Sequence, residues 1–143
     1  MVQIREILEK DAESVAALST QLGYESDIKQ ASARIKRINN SNENCAFVAL
    51  IDGIVVGWIH GFYTLRVESD PFVEIGGLIV DENYRNLKIG KQLIEHVNFW
   101  AKAHQVKKLK VRCNIKRTES HRFYTQIGFK ENKRQIAFEM NVV

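Results

Sequence analysis

Residues 2–8 alternate apolar and polar side chains, the two-residue period of a half-buried strand. Asp11 follows as a candidate helix cap. Ala12, Val15, Leu18 and Leu22 then recur at helical spacing, and Gly23 closes the segment. A second helix is predicted from Ser26 or Asp27, with Ile28, Ala31, Ile35 and Ile38 along one face and a polar Asn-Asn-Ser-Asn loop after it. Two β-rich runs, residues 46–51 and 54–63, flank Asp52-Gly53. That pair favours a hairpin, because a type I′ turn needs positive φ at both central residues. An acidic loop containing the single proline, Pro71, precedes another strand over 72–81. Gly76 and Gly77 interrupt this strand, a mark of a bulge or of a close approach by another backbone or a ligand. A long helix is predicted over 89–104, with Ile89, Leu93, Val97 and Trp100 as its buried stripe. A strand over 108–113 directs Leu109, Val111 and Cys113 inward and Lys108, Lys110 and Arg112 outward. A short helix over 118–126 ends at Gly128. Strand-like sequence resumes at Phe129, and 135–142 completes the predicted sheet.

The order β-α-α-β-β-β-α-β-α-β-β places strand, long helix and strand consecutively, which implies one central parallel βαβ crossover. The hairpins imply antiparallel pairing elsewhere. The expected fold class is α/β (α+β), a mixed and mostly antiparallel sheet of about six to seven strands with helices on both faces. No linker, low-complexity segment or internal repeat divides residues 1–143, so a single domain is expected.

Composition narrows the function classes. Hydrophobic residues make up 45% of the chain and charged residues 27%, ordinary values for a globular protein. No apolar run approaches the ~20 residues needed to cross a bilayer, and no signal-peptide pattern opens the chain. Cys45 and Cys113 make no disulfide framework, so a cytoplasmic protein with reduced thiols is expected. The four histidines show no metal-ligand spacing, and no metal is expected. The net charge of +4 permits a polyanion or a phosphate-bearing cofactor. No recognition motif or aromatic platform accompanies the basic strand face, so nucleic acid is not an expected partner.

The candidate chemistry begins where the strand over 72–81 runs into the long helix, through Leu78, Ile79, Val80, Arg85, Asn86, Leu87, Lys88, Ile89, Gly90 and Lys91. Backbone N–H groups at a helix N-terminus have no internal partners and lie at the positive end of the dipole, which suits a pyrophosphate. Arg85 and Lys91 add charge, and Gly90 lets the backbone come close. A Walker A loop is excluded, because Arg85 and Gln92 occupy its glycine and Ser/Thr places. A Rossmann fingerprint is excluded, because Gly90 stands alone. Taken alone, the same residues also suit an ordinary strand-to-helix turn.

This stretch resembles the acetyl-CoA signature of the Gcn5-related N-acetyltransferase (GNAT) superfamily, Arg/Gln-x-x-Gly-x-Gly/Ala after a Leu-x-Val strand. Leu78, Val80, Arg85, Ile89 and Gly90 match. Lys88 stands in place of the first glycine; it keeps its backbone N–H and adds the steric demand of a Cβ. A second stretch, Ser120, Phe123, Tyr124, Gly128 and Phe129, resembles the family's Ala-x-x-Phe/Leu-Tyr-x-x-x-Gly-Phe helix. The resemblance covers essentially the whole chain. It implies a GNAT fold and acetyl transfer from acetyl-CoA directly to a primary amine on a small molecule or peptide. A homodimer is also expected. Tyr124 would protonate the departing thiolate, and a phenol near pKa 10 carries that proton at neutral pH. Glu74, at the same parity as Gly76, Leu78 and Val80, would take the amine's proton if the glycine bulge aims it inward. A water chain is the alternative base. Backbone N–H groups around 78–80 would face the thioester oxygen. Tyr24, Glu25, Glu68 and Asp70 are candidates to line the acceptor side. A non-catalytic acyl-CoA sensor is the alternative function.

Overall fold

A computed structural model describes residues 1–25 and 27–143, with the backbone but not the side chains of Leu22, Asn86 and Leu87. The chain forms two compact units, Met1–Arg112 and Cys113–Val143.

The first unit contains one five-stranded sheet. Its strands are β1 (Val2–Glu6), β2 (Asn44–Ile51), β3 (Ile54–Thr64), β4 (Phe72–Val80) and β5 (Leu109–Val111), in that spatial order. The first four pair antiparallel and β4 pairs parallel with β5. The crossover between the last two is helix α3 (Ile89–Ala103), as the element order required. Asp52, at φ +50°, and Gly53, at φ +77°, form the predicted turn between β2 and β3.

Helices α1 (Ala12–Ser19) and α2 (Ile28–Asn39) precede the hairpin. The Asp27 carboxylate caps α2 by accepting from the Gln30 N–H at 2.6 Å; the other predicted start, Ser26, lies outside the described residues. Asp11 does not cap α1. Its carboxylate is drawn to Arg5 and to the Leu8 N–H, because a bidentate charged donor wins over a helix amide. The core against these helices combines Ile7, Ala12, Ala16, Ala31 and Ile35 with Ala46, Val48 and Leu50 of the sheet, and Trp58 packs against it.

Helix α3 lies on the opposite face. A Cβ placed on Gly57 would meet Leu93 at 3.5 Å, and one on Gly61 would meet Val97 at 2.8 Å, so both glycines face α3. Leu93 and Val97 are fully buried. The sheet is therefore covered by helices on both faces, as predicted.

In the second unit, α4 (Thr118–Gln126) has its predicted bounds. Gly128, at φ +112°, ends it, and the Phe129 N–H returns to the Tyr124 carbonyl at 2.9 Å. The strands expected from Phe129 and over 135–142 do not form. Residues 129–143 carry no regular secondary structure, and the sheet has five strands rather than six or seven. Alternation prepares a strand, but pairing requires an edge, and no ladder includes this segment among the described residues.

Candidate active site

The local geometry of β4 dictates the site. Its ladder with β3 runs along the whole strand, from Phe72 opposite Thr64 to Val80 opposite Gly57. Its ladder with β5 covers only Val73, Glu74 and Ile75. From Gly76 to Val80 one edge of β4 is open, and its backbone groups on that side lack strand partners among the described residues. The predicted Leu78, Ile79 and Val80 stand on this open stretch, where backbone N–H groups are available to an oxyanion.

The opening begins at a bulge. The register of β3 against β4 shifts between His60 and Gly61, and Gly76 is the extra residue. The glycine pair serves this bulge. A Cβ on Gly76 would meet His60 Nδ1 at 2.8 Å and Phe62 at 3.0 Å; one on Gly77 would meet the Trp58 ring at 2.8 Å. Both glycines thus face the side away from α3, and the rings of β3 lie across them. The bulge also overturns the parity expected for Glu74. Glu74 pairs with Phe62, whereas Leu78 and Val80 pair with Ile59 and Gly57. Cross-strand partners share a face, so Leu78 and Val80 turn toward α3 and Glu74 away from it.

Glu74 is largely buried, at 12% side-chain exposure, and its Oε2 lies 3.5 Å from Arg112 Nε. The pattern of charges gives no hint of this partner, because Arg112 reads as the outward residue of a basic face. Lys110 is likewise engaged, with Nζ 4.1 Å from the centre of the Phe72 ring.

Beyond Val80, Asp81 accepts from the Asn83 N–H at 3.0 Å and opens a 3-10 turn, Glu82–Leu87. Arg85 Nε donates back to the Val80 carbonyl at 3.3 Å. The backbones of Asn86 and Leu87 complete the turn; their side chains lie outside the described residues. Lys88 adopts φ +60°, ψ +23°, the left-handed conformation that a glycine would supply. This places Ile89 as the first residue of α3, fully buried, with Gly90 buried beside it. The first helical bond runs from the Gln92 N–H to the Lys88 carbonyl at 3.2 Å. The N–H groups of Ile89, Gly90 and Lys91 are therefore left without partners inside the helix. Arg85, Lys88 and Lys91 are exposed around them. The first-turn amides of α3, a fifteen-residue helix dipole and three cations suit a pyrophosphate. The open β4 edge that leads into them suits a thioester.

In the second unit, Tyr124 packs edge-on against Phe123 and Phe129, with ring centres 5.1 and 5.5 Å away. Burial pushes its phenol up to about 12, Cys113 adds to the rise and Arg117 opposes it. The hydroxyl stays protonated across the neutral range, as a proton donor must. Cys45 and Cys113 are free thiols, each pushed up by burial. Neither has the lowered pKa of a nucleophile. No cluster of metal-ligating side chains exists among the described residues, and no helix there is long and apolar enough to cross a membrane. Tyr24, Glu25, Glu68 and Asp70 are exposed.

Comparison with known proteins agrees with this geometry. The profile of the Acetyltransferase (GNAT) family matches residues 2–129. An aminoglycoside N(6')-acetyltransferase type 1 of Salmonella enteritidis is 25% identical over 96% of this chain and 97% of its own. An aminoalkylphosphonate N-acetyltransferase of Salmonella typhimurium is 30% identical over 91% of this chain and 86% of its own. The solved structure of AAC(6')-Iy with the bisubstrate analogue CoA-S-monomethyl-acetylneamine shares the fold, with a TM-score of 0.87, 22% identity and 99% coverage of both chains. A family match over residues 2–129 takes in the open β4 edge, the helix amides that follow it and the tyrosine helix, so the chain belongs to the GNAT family and is an acetyl-CoA-dependent N-acetyltransferase.

Proposed function

We propose that this enzyme transfers acetyl directly from acetyl-CoA to the primary amine of a small molecule, with aminoglycosides the first class to test and aminoalkylphosphonates the second. The single observation that carries the reading is the open edge of β4 from Gly76 to Val80, which runs into the first-turn amides of α3. The names of the two relatives supply the acceptor classes. Nothing in the fold favours the acyl-CoA sensor.

Acetyl-CoA supplies an activated acetyl group with a thiolate leaving group. The backbone of Leu78, Ile79 and Val80 holds the thioester. Arg85, Asn86, Leu87, Lys88, Ile89, Gly90 and Lys91 hold the phosphates. Glu74, with its Oε2 3.5 Å from Arg112 Nε, faces the ammonium and is the first candidate for the base. Tyr124 protonates the sulfur. The family match crosses the boundary at Cys113, which supports one working domain over 1–143. The free thiols support a cytoplasmic setting.

We also propose a homodimer. In the tail, Ile136, Phe138, Met140 and Val142 alternate with polar or small residues and are 79–98% exposed. A strand-like segment with one apolar face needs a second surface, and another copy of the chain supplies one.

The test is thiol release from acetyl-CoA with neamine, aminomethylphosphonate and a lysine peptide. Turnover of a small amine, and a fall in kcat of about 100-fold in Tyr124→Phe with acetyl-CoA binding retained, is the expected result. Turnover of the peptide alone would overturn the acceptor class, and full activity in Tyr124→Phe would remove the acid.

A further inference from the structure

His60 lies on β3, on the face of the sheet away from α3. Its Nε2 is 2.8 Å from Asn44 Oδ1. The orientation of that amide is set from behind: Asn44 Nδ2 donates to Ser41 Oγ at 2.9 Å, and the Glu43 N–H donates to the same oxygen at 3.2 Å. Asn44 therefore presents its carbonyl oxygen to the ring, and Nε2 must be the nitrogen that carries hydrogen. In the neutral ring Nδ1 is left with its lone pair. It forms no hydrogen bond among the described residues. It lies beside Gly76, where a Cβ would stand 2.8 Å from it. Gly76 is where β4 loses β5. Nδ1 thus lies beside the residue at which the open edge begins.

We propose that His60 is a further catalytic residue, whose unprotonated Nδ1, in place of the Glu74 carboxylate, takes the proton that the acceptor ammonium must lose. This rests on the acetyltransferase reading of the same site. An ammonium bound between Glu74 and Nδ1 gives one N–H proton to Nδ1, so the ring becomes an imidazolium with both nitrogens protonated. The freed amine nitrogen forms its bond to the acetyl carbon, and the carbon–sulfur bond breaks. The second proton lost by nitrogen ends on the sulfur, and the first passes from His60 to solvent. The charged groups that β4 and the chain paired beside it bring to this face are Glu74, its partner Lys110, and Arg112; the β2 neighbours Asn44 and Ala46 are uncharged. Burial of the imidazole lowers its pKa below the ordinary value, which keeps the lone pair free at neutral pH.

The experiment is the pH profile of kcat/KM for neamine in the wild type, His60→Gln and Asn44→Leu, with acetyl-CoA binding followed by calorimetry. His60→Gln is expected to bind acetyl-CoA as the wild type does, to lose about 100-fold or more in kcat/KM at pH 7, and to lose the acidic limb of the profile. Asn44→Leu frees the tautomer and should lose about tenfold at unchanged cofactor affinity. In the wild type, ¹⁵N spectra should show His60 Nδ1 unprotonated and Nε2 protonated, a reading that needs no variant to fold. A His60→Gln profile that superimposes on the wild type, or a protonated Nδ1 at pH 7, overturns the assignment. Thiol release in the wild type with an indifferent His60→Gln sinks this inference alone. No thiol release from the wild type with any amine sinks the acetyltransferase reading beneath it.

Discussion

Asp11 and Lys88 each hold a local cost, one electrostatic and one conformational. Asp11 is 4% exposed and accepts two bonds from Arg5 at 2.8 Å and a third from the Leu8 N–H at 2.8 Å. Burial pushes its carboxyl up, but the Arg5 hydrogen bonds, the Leu8 amide and the charges of Arg5 and Lys10 pull it net below the ordinary value. A depressed carboxyl contributes stability above the unfolded value near 3.9, and the contribution is lost as pH falls through the lower folded value. Arg5→Met should therefore cost about 3–5 kcal/mol at pH 7, because it strands a buried carboxylate. The difference from the wild type in urea midpoints should shrink below about pH 4, where the carboxyl protonates. A constant difference across pH would contradict this. Lys88 holds the left-handed conformation, which costs a residue with a Cβ about 1–2 kcal/mol. Glycine at this place relieves that strain and adds roughly 0.5–1 kcal/mol of unfolded-state entropy. Lys88→Gly should be neutral or stabilising by up to about 1 kcal/mol, and a clear loss of stability would contradict the geometry. The sequence marks Lys88 only as a departure from a glycine. It carries no sign of Arg5 with Asp11, or of Asn44 with His60, because those partners are brought together by strand register and turn geometry.

At the scale of elements, β3 is built to let α3 lie close. Gly57 and Gly61 face the helix, and Gly61 has Val97 at 2.8 Å and Cys45 Sγ at 3.2 Å from the place of a Cβ. Gly61→Ala should cost about 1–3 kcal/mol by overpacking, read as a lower urea midpoint at unchanged slope. A neutral substitution would mean that the helix stands further off. Most elements are legible from period alone. Helix α4 keeps its predicted bounds, α3 loses only its last residue, and the Asp-Gly hairpin and the Gly76 bulge form as expected. Strand β5 shrinks to Leu109–Val111, because pairing with β4 ends where the bulge turns the strand away. The same bulge defeats the parity argument for Glu74, since one extra residue exchanges the two faces of everything beyond it. Alternation over 135–142 states a preference for the extended form and says nothing of which edge will receive it.

For the molecule as a whole, the exposed apolar tail bears on assembly. Light scattering should report a dimer, and removal of residues 135–143 should shift it toward monomer; a monomer with the tail intact would contradict the proposed assembly. The family and its cofactor are legible from two motifs on successive elements, whereas the acceptor is not, because no motif marks the loops around Tyr24 and Glu68. The central claim is that the open edge of β4 and the amides of Ile89, Gly90 and Lys91 hold acetyl-CoA with Lys88 in a glycine's place. Calorimetric titration of the intact chain with acetyl-CoA, beside CoA, tests it most directly. Saturable one-to-one binding, weakened in Lys91→Glu by the added negative charge, is the predicted result. Absence of binding at millimolar acetyl-CoA would contradict the account at its base.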